Sequence, residues 1–264
     1  MRLASRPLRA LGRYYSVLVV LAVWEAVARS GTVRALFLPS VSQIVAQAAA
    51  LLADGSLLTH SAISLVRAMA GLALAAAVGV PLGIAMARLQ PVHWFCNPFV
   101  ALGFPTPKIS LLPIFILWFG IGHLSKILLI AFGTVFPIVV ACYHGAHAVD
   151  RILVWSARAM GTGERELLWR VVLPSTLPAL FSGLRVAVPL SLILVFVSEM
   201  VAGGGGLGFL LINAQRYFET PTCFAALFAV LVIGFALDRA VLWSRQRCLR
   251  WHEEAAATMH TAGA

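Results

Sequence analysis

Apolar residues in this chain gather into long runs and show little of the strict alternation that marks half-buried strands. A helix that crosses a bilayer needs about 20 mostly apolar residues, and six stretches come close to that. The first runs from about Leu11 to Ala28 and is interrupted by Glu25. The second, Ala68 to Ala87, has no charge at all. The third lies within Pro91 to Gly122, where Lys108 is the only charge and Pro98, Pro105, Pro107 and Pro113 fall inside. So many prolines predict a broken helix there, or a helix with an interfacial lead-in. The fourth is Ile127 to Tyr143, the fifth Leu177 to Ser198, and the sixth about Thr222 to Trp243. The first run also has the basic start and the Ala26-Val27-Ala28 ending of a signal peptide. Trp24 and Glu25 fit that reading poorly, so the run is taken as a span.

Composition agrees with the pattern. Hydrophobic residues make up 61% of the 264 positions, charged residues only 11%, and the mean hydropathy is +0.92. A soluble domain is about 45–50% apolar and about 25% charged. This excludes a soluble enzyme, a disordered chain and a disulfide scaffold. The four cysteines, Cys96, Cys142, Cys223 and Cys248, have no metal-binding or redox spacing and read as packing residues.

The net charge of +10 would suggest nucleic acid in a soluble protein. Its distribution says otherwise. Arg2, Arg6, Arg9 and Arg13 precede the first span, and Arg88 follows the second. Arg151, Arg158, Arg165 and Arg170 lie between the fourth and fifth, and Arg245, Arg247 and Arg250 follow the sixth. With six spans and both termini in the cytoplasm, all of these face inward. Only Arg29, Arg34, Arg216 and Lys126 fall on the other side. The charge therefore sets topology, and no nucleic-acid partner is expected. The expected organisation is a cytoplasmic tail over 1–13, a transmembrane domain over 14–244 and a second cytoplasmic tail over 245–264, frayed from Glu253.

The polar insert 150–174 carries seven of the thirty charged residues. Ile152, Trp155 and Ala159 fall at helical spacing. Gly161-Thr162-Gly163 then breaks the run, and Glu164 and Glu166 suit the first turn of a second helix. Leu167, Leu168, Val171 and Val172 form its apolar stripe, and Leu173-Pro174 is expected to end it. The pattern fits either an amphipathic connection on the headgroups or two helices and an elbow that dock a cytoplasmic partner.

These residues resemble a known family. Permease subunits of binding-protein-dependent ABC importers carry Glu-Ala-Ala, three residues, Gly, nine residues, Ile, any residue, Leu-Pro. Here Trp155-Ser156-Ala157, Gly161, Val171 and Leu173-Pro174 keep the complete spacing. Trp155-Ser156 replaces the leading Glu-Ala, which removes one expected polar contact to the ATPase. Phe104 to Gly122, Ser198-Glu199 and Gly206-Leu207-Gly208 are similar to the nitrate, sulfonate, taurine and bicarbonate branch.

The resemblance implies an all-α, polytopic membrane protein with the type I ABC importer permease (MetI-like) fold. It implies a homodimer in the bacterial inner membrane, in contact with lipid. A cytoplasmic ATPase and a periplasmic or lipoprotein binding protein are the implied partners. Trp155, Ser156, Ala157, Arg158, Met160, Gly161, Glu164, Leu173 and Pro174 would engage the ATPase. ATP-Mg would bind that partner, since Gly203 to Gly208 lacks the Lys-Ser/Thr of a phosphate loop. No cofactor, metal or catalytic residue is expected in this chain. The four-glycine stretch reads as a flexible external turn. Polar groups at membrane depth are costly and mark candidate pathway positions: Arg67, Thr106, Lys108, Ser110 and Glu199. For Arg67 and Glu199, pairing within the bundle or snorkelling competes with that role. His144 and His147 read as interfacial structural residues. A small anion, such as a sulfonate, taurine, nitrate or bicarbonate, is the expected substrate, with a neutral heterocycle as the alternative. A gradient-driven transporter fits less well, because Glu25, Glu199 and Asp238 all lie toward span ends.

Overall fold

The computed structural model describes residues 5–34 and 36–249, with side chains from Tyr15 onward. Arg2 and the tail from Arg250, including its expected fraying, lie outside the described residues, as do the side chains of Arg6, Arg9 and Arg13. Every described element is helical. In order they are α1 (Ser5–Arg29), α2 (Val41–Ala53), α3 (Ser56–Arg88), α4 (Gln90–Gly103), a 3-10 turn (Lys108–Leu111), α5 (Leu112–Phe119) and α6 (His123–His147). Then come α7 (Arg151–Ala159), α8 (Glu164–Leu167), a π-turn (Leu168–Val172), α9 (Leu173–Ala202), α10 (Leu207–Arg216) and α11 (Thr220–Cys248).

Four described helical rods are long and apolar enough to cross a bilayer: α3, α6, α11 and the continuous Glu164–Ala202 stretch. The α4–α5 pair, bent by 97°, makes a fifth if counted as one span. This is the broken third region that the prolines predict. The sequence pattern counts six spans, and the one not in this set is the first run. That run is α1, which begins at Ser5 inside the stretch read as a tail. Its Val17 to Val20 are exposed. Glu25 has a structural use: it accepts from Ser42 N and Oγ at 3.2 and 2.8 Å and pairs with Arg29 at 2.6 Å, tying α1 to the start of α2.

The core is a three-helix seam of α3, α6 and α9. Without a hydrophobic drive between helices in lipid, close packing through small residues has to hold such a seam. Gly71 sits against Ile130, Gly79 against Ile138, and Gly83 against Val139 and Cys142, so α3 and α6 run parallel. A Cβ on Gly71 would lie 2.6 Å from Ile130, and one on Gly83 2.6 Å from the Val139 carbonyl. Gly145 meets Ala179 and Gly183 meets Ala141, which sets α9 antiparallel to α6. Cys142 is buried in this seam beside Ala75, Ile138 and Val188. Arg88, His147 and the 150–172 insert therefore gather at one end of the bundle, and Arg67, Lys126 and Glu199 at the other.

One expectation fails. The second insert helix does not end at Leu173-Pro174 but runs straight on into α9. A proline ring presses on the carbonyl four residues back and supplies no N–H. The π-turn just before Pro174 widens the coil there and lets the helix absorb the proline instead of stopping.

Candidate functional site

The insert is built as an elbow. Asp150 caps α7 by accepting from Ile152 N at 2.8 Å. Gly161, at φ +84°, turns the chain, and Thr162 N returns to the Ala157 carbonyl at 3.1 Å. Arg158 spans the elbow to Glu164 at 2.7 Å, and Glu166 pairs with Arg170 at 3.0 Å. A small apolar cluster of Val154, Ala157 and Leu167 closes the inside. Ile152 and Trp155, the stripe singled out by spacing, point outward, and Val154 with Ala157 form the buried one. Trp155 is 63% exposed and Met160 78%. An apolar face this open, on a short helix pinned at both ends, suits the groove of another protein. Ser156 lies on this exposed side, whereas Leu173 and Pro174 continue into the membrane rod.

Thr106, Lys108 and Ser110 occupy the break between α4 and α5. The Lys108 stem lies 3.4 Å from where a Cβ on Gly133 would be, and its ammonium sits 5.6 Å from the Phe136 ring centre. Gly133 is midway along α6, so the break stands at the middle of the bundle. Thr106 Oγ1 donates to the Leu102 carbonyl at 2.7 Å, and Lys108 Nζ donates to the Phe104 carbonyl. Together they satisfy carbonyls left open at the end of α4. An ammonium has three donors, so Lys108 keeps capacity for a further acceptor. Non-helical backbone at membrane depth persists only against protein or a water-filled cavity.

Arg67 and Glu199 face each other at the opposite end from the insert. Their exposures are 1% and 0%, and they pair at 2.8 Å. Ser64 Oγ and Gly208 N also donate to Glu199, at 2.7 and 3.1 Å. Arg67 donates further to the carbonyls of Gly204 and Gly205, at 2.7 and 2.8 Å, and to His123 Nδ1 at 3.2 Å. Lys126, 0% exposed, donates to the Gly203 carbonyl. Gly203 to Gly206 all have positive φ, from +65° to +105°, which turns three successive carbonyls inward onto the two cations. Gly206 N donates to His60 Nδ1 at 3.0 Å and Leu207 N to Ser64 Oγ at 2.8 Å. The external turn read as flexible is therefore pinned at nearly every polar atom. Arg67 and Glu199 serve this network and do not meet Thr106, Lys108 or Ser110.

Ser64, His60 and His123 were not singled out from the sequence, and Lys126 was placed only among the outer charges. Ser64 lies one helical turn before Arg67, and that spacing is the only local signal for any of them. His147 stacks on Tyr143, which stacks on His93, a structural use of that histidine.

The arrangement can be set beside known proteins. The profile of the binding-protein-dependent transport system inner membrane component family matches residues 79–250. The taurine transport system permease protein TauC of Escherichia coli K12 is 32% identical, covering 89% of this chain and 88% of that protein. The putative aliphatic sulfonates transport permease protein SsuC of Bacillus subtilis is 30% identical, covering 88% and 84%. The formylaminopyrimidine transport permease protein ThiX of Halalkalibacterium halodurans is 32% identical, covering 95% and 99%. Among solved structures, the inward-facing MetNI methionine ABC transporter shares the fold, with a TM-score of 0.51 at 19% identity over 70% of this chain and 94% of that one. A family profile over most of the helical bundle, together with relatives above 30% identity along nearly the whole chain, settles membership: the chain belongs to the binding-protein-dependent inner membrane component family and is a multi-pass permease subunit of an ABC importer.

Proposed function

We propose that two copies of this chain form the path for a small anionic substrate of the taurine or alkylsulfonate type. An extracytoplasmic binding protein delivers the substrate. A separate cytoplasmic ATPase, with its own ATP-Mg, receives α7 in a groove and drives the cycle. Both termini lie in the cytoplasm, on the side of the insert. This chain binds no cofactor of its own.

The observation that carries the anion reading is the mid-bundle break with Lys108 beside Gly133. Broken helices at the bilayer midplane are where transporters hold substrate. A lysine there, with donors to spare, favours a negative group. Thr106 and Ser110 stand beside it on the same broken segment. The likeness to a formylaminopyrimidine permease favours a second reading, a neutral heterocycle on the same path.

The test has two parts. The associated binding protein is identified by co-purification, and its ligand is read by thermal shift with taurine and alkylsulfonates. Lys108→Gln is then assayed in vesicles with the full transporter. Loss of one charge-assisted contact predicts a roughly tenfold fall in sulfonate uptake. A binding protein selective for a neutral heterocycle, or full uptake by Lys108→Gln, overturns the anion reading. For coupling, Gly161→Val forces a β-branched residue to φ +84°, a strain of about 1–2 kcal/mol. Nothing lies within 4 Å of the added Cβ, so the bundle stays folded while ATPase co-purification falls. Unchanged complex formation and transport overturn the docking role.

A further inference from the structure

A groove of about 780 Å³ opens between the last turns of α3 and the base of the insert. Its walls are apolar, with Val80 and Ile84 from α3 facing Leu168 and Trp169 from the π-turn. Three charges stand at its rim: Arg88, Arg158 and Glu164. Arg158 and Glu164 neutralise each other across the elbow at 2.7 Å. Arg88 is half-buried at the very end of α3 and makes no ion pair or hydrogen bond with any described residue. The groove thus combines an apolar slot of ligand size with one uncompensated cation at its mouth.

Its depth is set by its own residues. Arg88 is the first charge after the apolar stretch of α3, so it stands where hydrocarbon gives way to headgroups. Trp169, 66% exposed, lines the same groove as Arg88, and aromatic residues concentrate at the interfaces of membrane proteins. An occupant must be apolar along the walls and negative at the rim, and it must come from the membrane.

We propose that this groove is a binding site for an anionic phospholipid of the cytoplasmic leaflet, with acyl chain against Ile84 and Leu168 and phosphate on Arg88. Basic pockets between transmembrane helices on that side hold acidic headgroups in this way. The site joins α3 to the insert, so its occupant bridges the membrane bundle and the elbow. The inference rests on the orientation proposed above.

The experiment uses the full-length permease in nanodiscs of phosphatidylcholine with increasing phosphatidylglycerol. Retained lipid is read by native mass spectrometry. The wild type is expected to retain phosphatidylglycerol in preference to phosphatidylcholine, and Arg88→Ala to lose about five-fold of that preference. Arg170→Ala, which removes an exposed cation already paired with Glu166, is expected to keep it. An unchanged preference in Arg88→Ala overturns the site. A photoactivatable phosphatidylglycerol on the wild type gives a reading independent of variant folding. Cross-links at Leu168 and Trp169 support the site, and cross-links only elsewhere overturn it. Displacement of the lipid by taurine or an alkylsulfonate overturns it in favour of substrate. Efficient Ala85→Cys cross-linking between two copies overturns it in favour of a protein-covered face. Labelling of Met160→Cys with an impermeant maleimide, from known sides of oriented vesicles, tests the orientation alone. Labelling from the outer side would overturn the orientation, and with it the leaflet, whatever lipid Arg88 selects.

Discussion

The two ends of the bundle handle charge in opposite ways. At one end Arg67, Lys126 and Glu199 are withdrawn from solvent; Arg67 pairs with Glu199, and both cations are bonded to a loop of four glycines. At the other, Arg158, Glu164, Glu166 and Arg170 pair on the surface, beside bare Trp155 and Met160. The first end is complete within one chain. The second presents apolar surface that the described residues leave uncovered. An importer subunit needs both kinds of end: one that holds its shape unaided and one that a partner finishes.

The contrast can be broken most forcefully at Glu199. Glu199→Ala leaves two buried cations without their carboxylate, and removing one partner of a buried pair costs about 3–5 kcal/mol. The expected result is a large drop in the melting temperature of the purified permease. A double Arg67→Met, Glu199→Leu variant should recover part of it. A single variant as stable as wild type would show that the end is not held by this pair. Next is Gly206→Ala. At φ +105° and ψ 171° the position is essentially restricted to glycine, and the new Cβ would meet the Glu199 carboxyl group. A loss of about 1–3 kcal/mol is expected, read by the same melting curve.

At the insert the sign of the effects changes. Trp155→Ala should leave the melting temperature within the ~0.5 kcal/mol scatter of surface substitutions. It should nevertheless weaken ATPase binding by tenfold or more, as truncation of an aromatic anchor does. Titrating the detergent-solubilised permease with the ATPase measures this. Equal affinity would remove the distinction between the two ends. The smallest effect sits outside both, at the turn before α3. The Ser56 side chain and the Ser56 N–H, which donates to Asp54 at 2.8 Å, hold the Asp54 carboxyl below its ordinary value. A folded-state value below the unfolded one gives stability that is present above the unfolded value and lost as pH falls through the folded one. The stability gap between wild type and Asp54→Ala should therefore close on acidification from neutral pH through the carboxylate range, and a gap that widens would contradict it.

What could be read from the chain was local. Pro98, Pro105, Pro107 and Pro113 announced the 97° break, and Gly161 announced the elbow, because each constrains its own few dihedral angles. Arg67 and Glu199 were legible as two costly residues for which pairing within the bundle was one reading, but not as each other's partner. Their partnership spans 132 positions, and a run of glycines looks loose until the cations that fix its carbonyls are in place. Which way the Ile152–Trp155 stripe of α7 faces could not be read for a related reason. Periodicity shows that one face is apolar, and a helix made to be covered by another protein can be apolar on both. Pro174 stopped the reading of the helix because a local rule says it should, and the π-turn supplied an exception that spacing does not reveal.

That unbroken passage through Pro174 has a mechanical meaning. From Glu164 at the elbow to Glu199 in the buried network, one continuous rod covers about 50 Å at 1.5 Å per residue. It behaves as a lever with a handle at one end and a bolt at the other. A tilt of roughly 5° about its middle moves each end by about 2 Å, close to the distance over which a hydrogen bond is made or broken. Force applied at the elbow therefore arrives at Glu199 as displacement, and the glycine loop that Glu199 helps to hold is the first thing such a lever would unfasten.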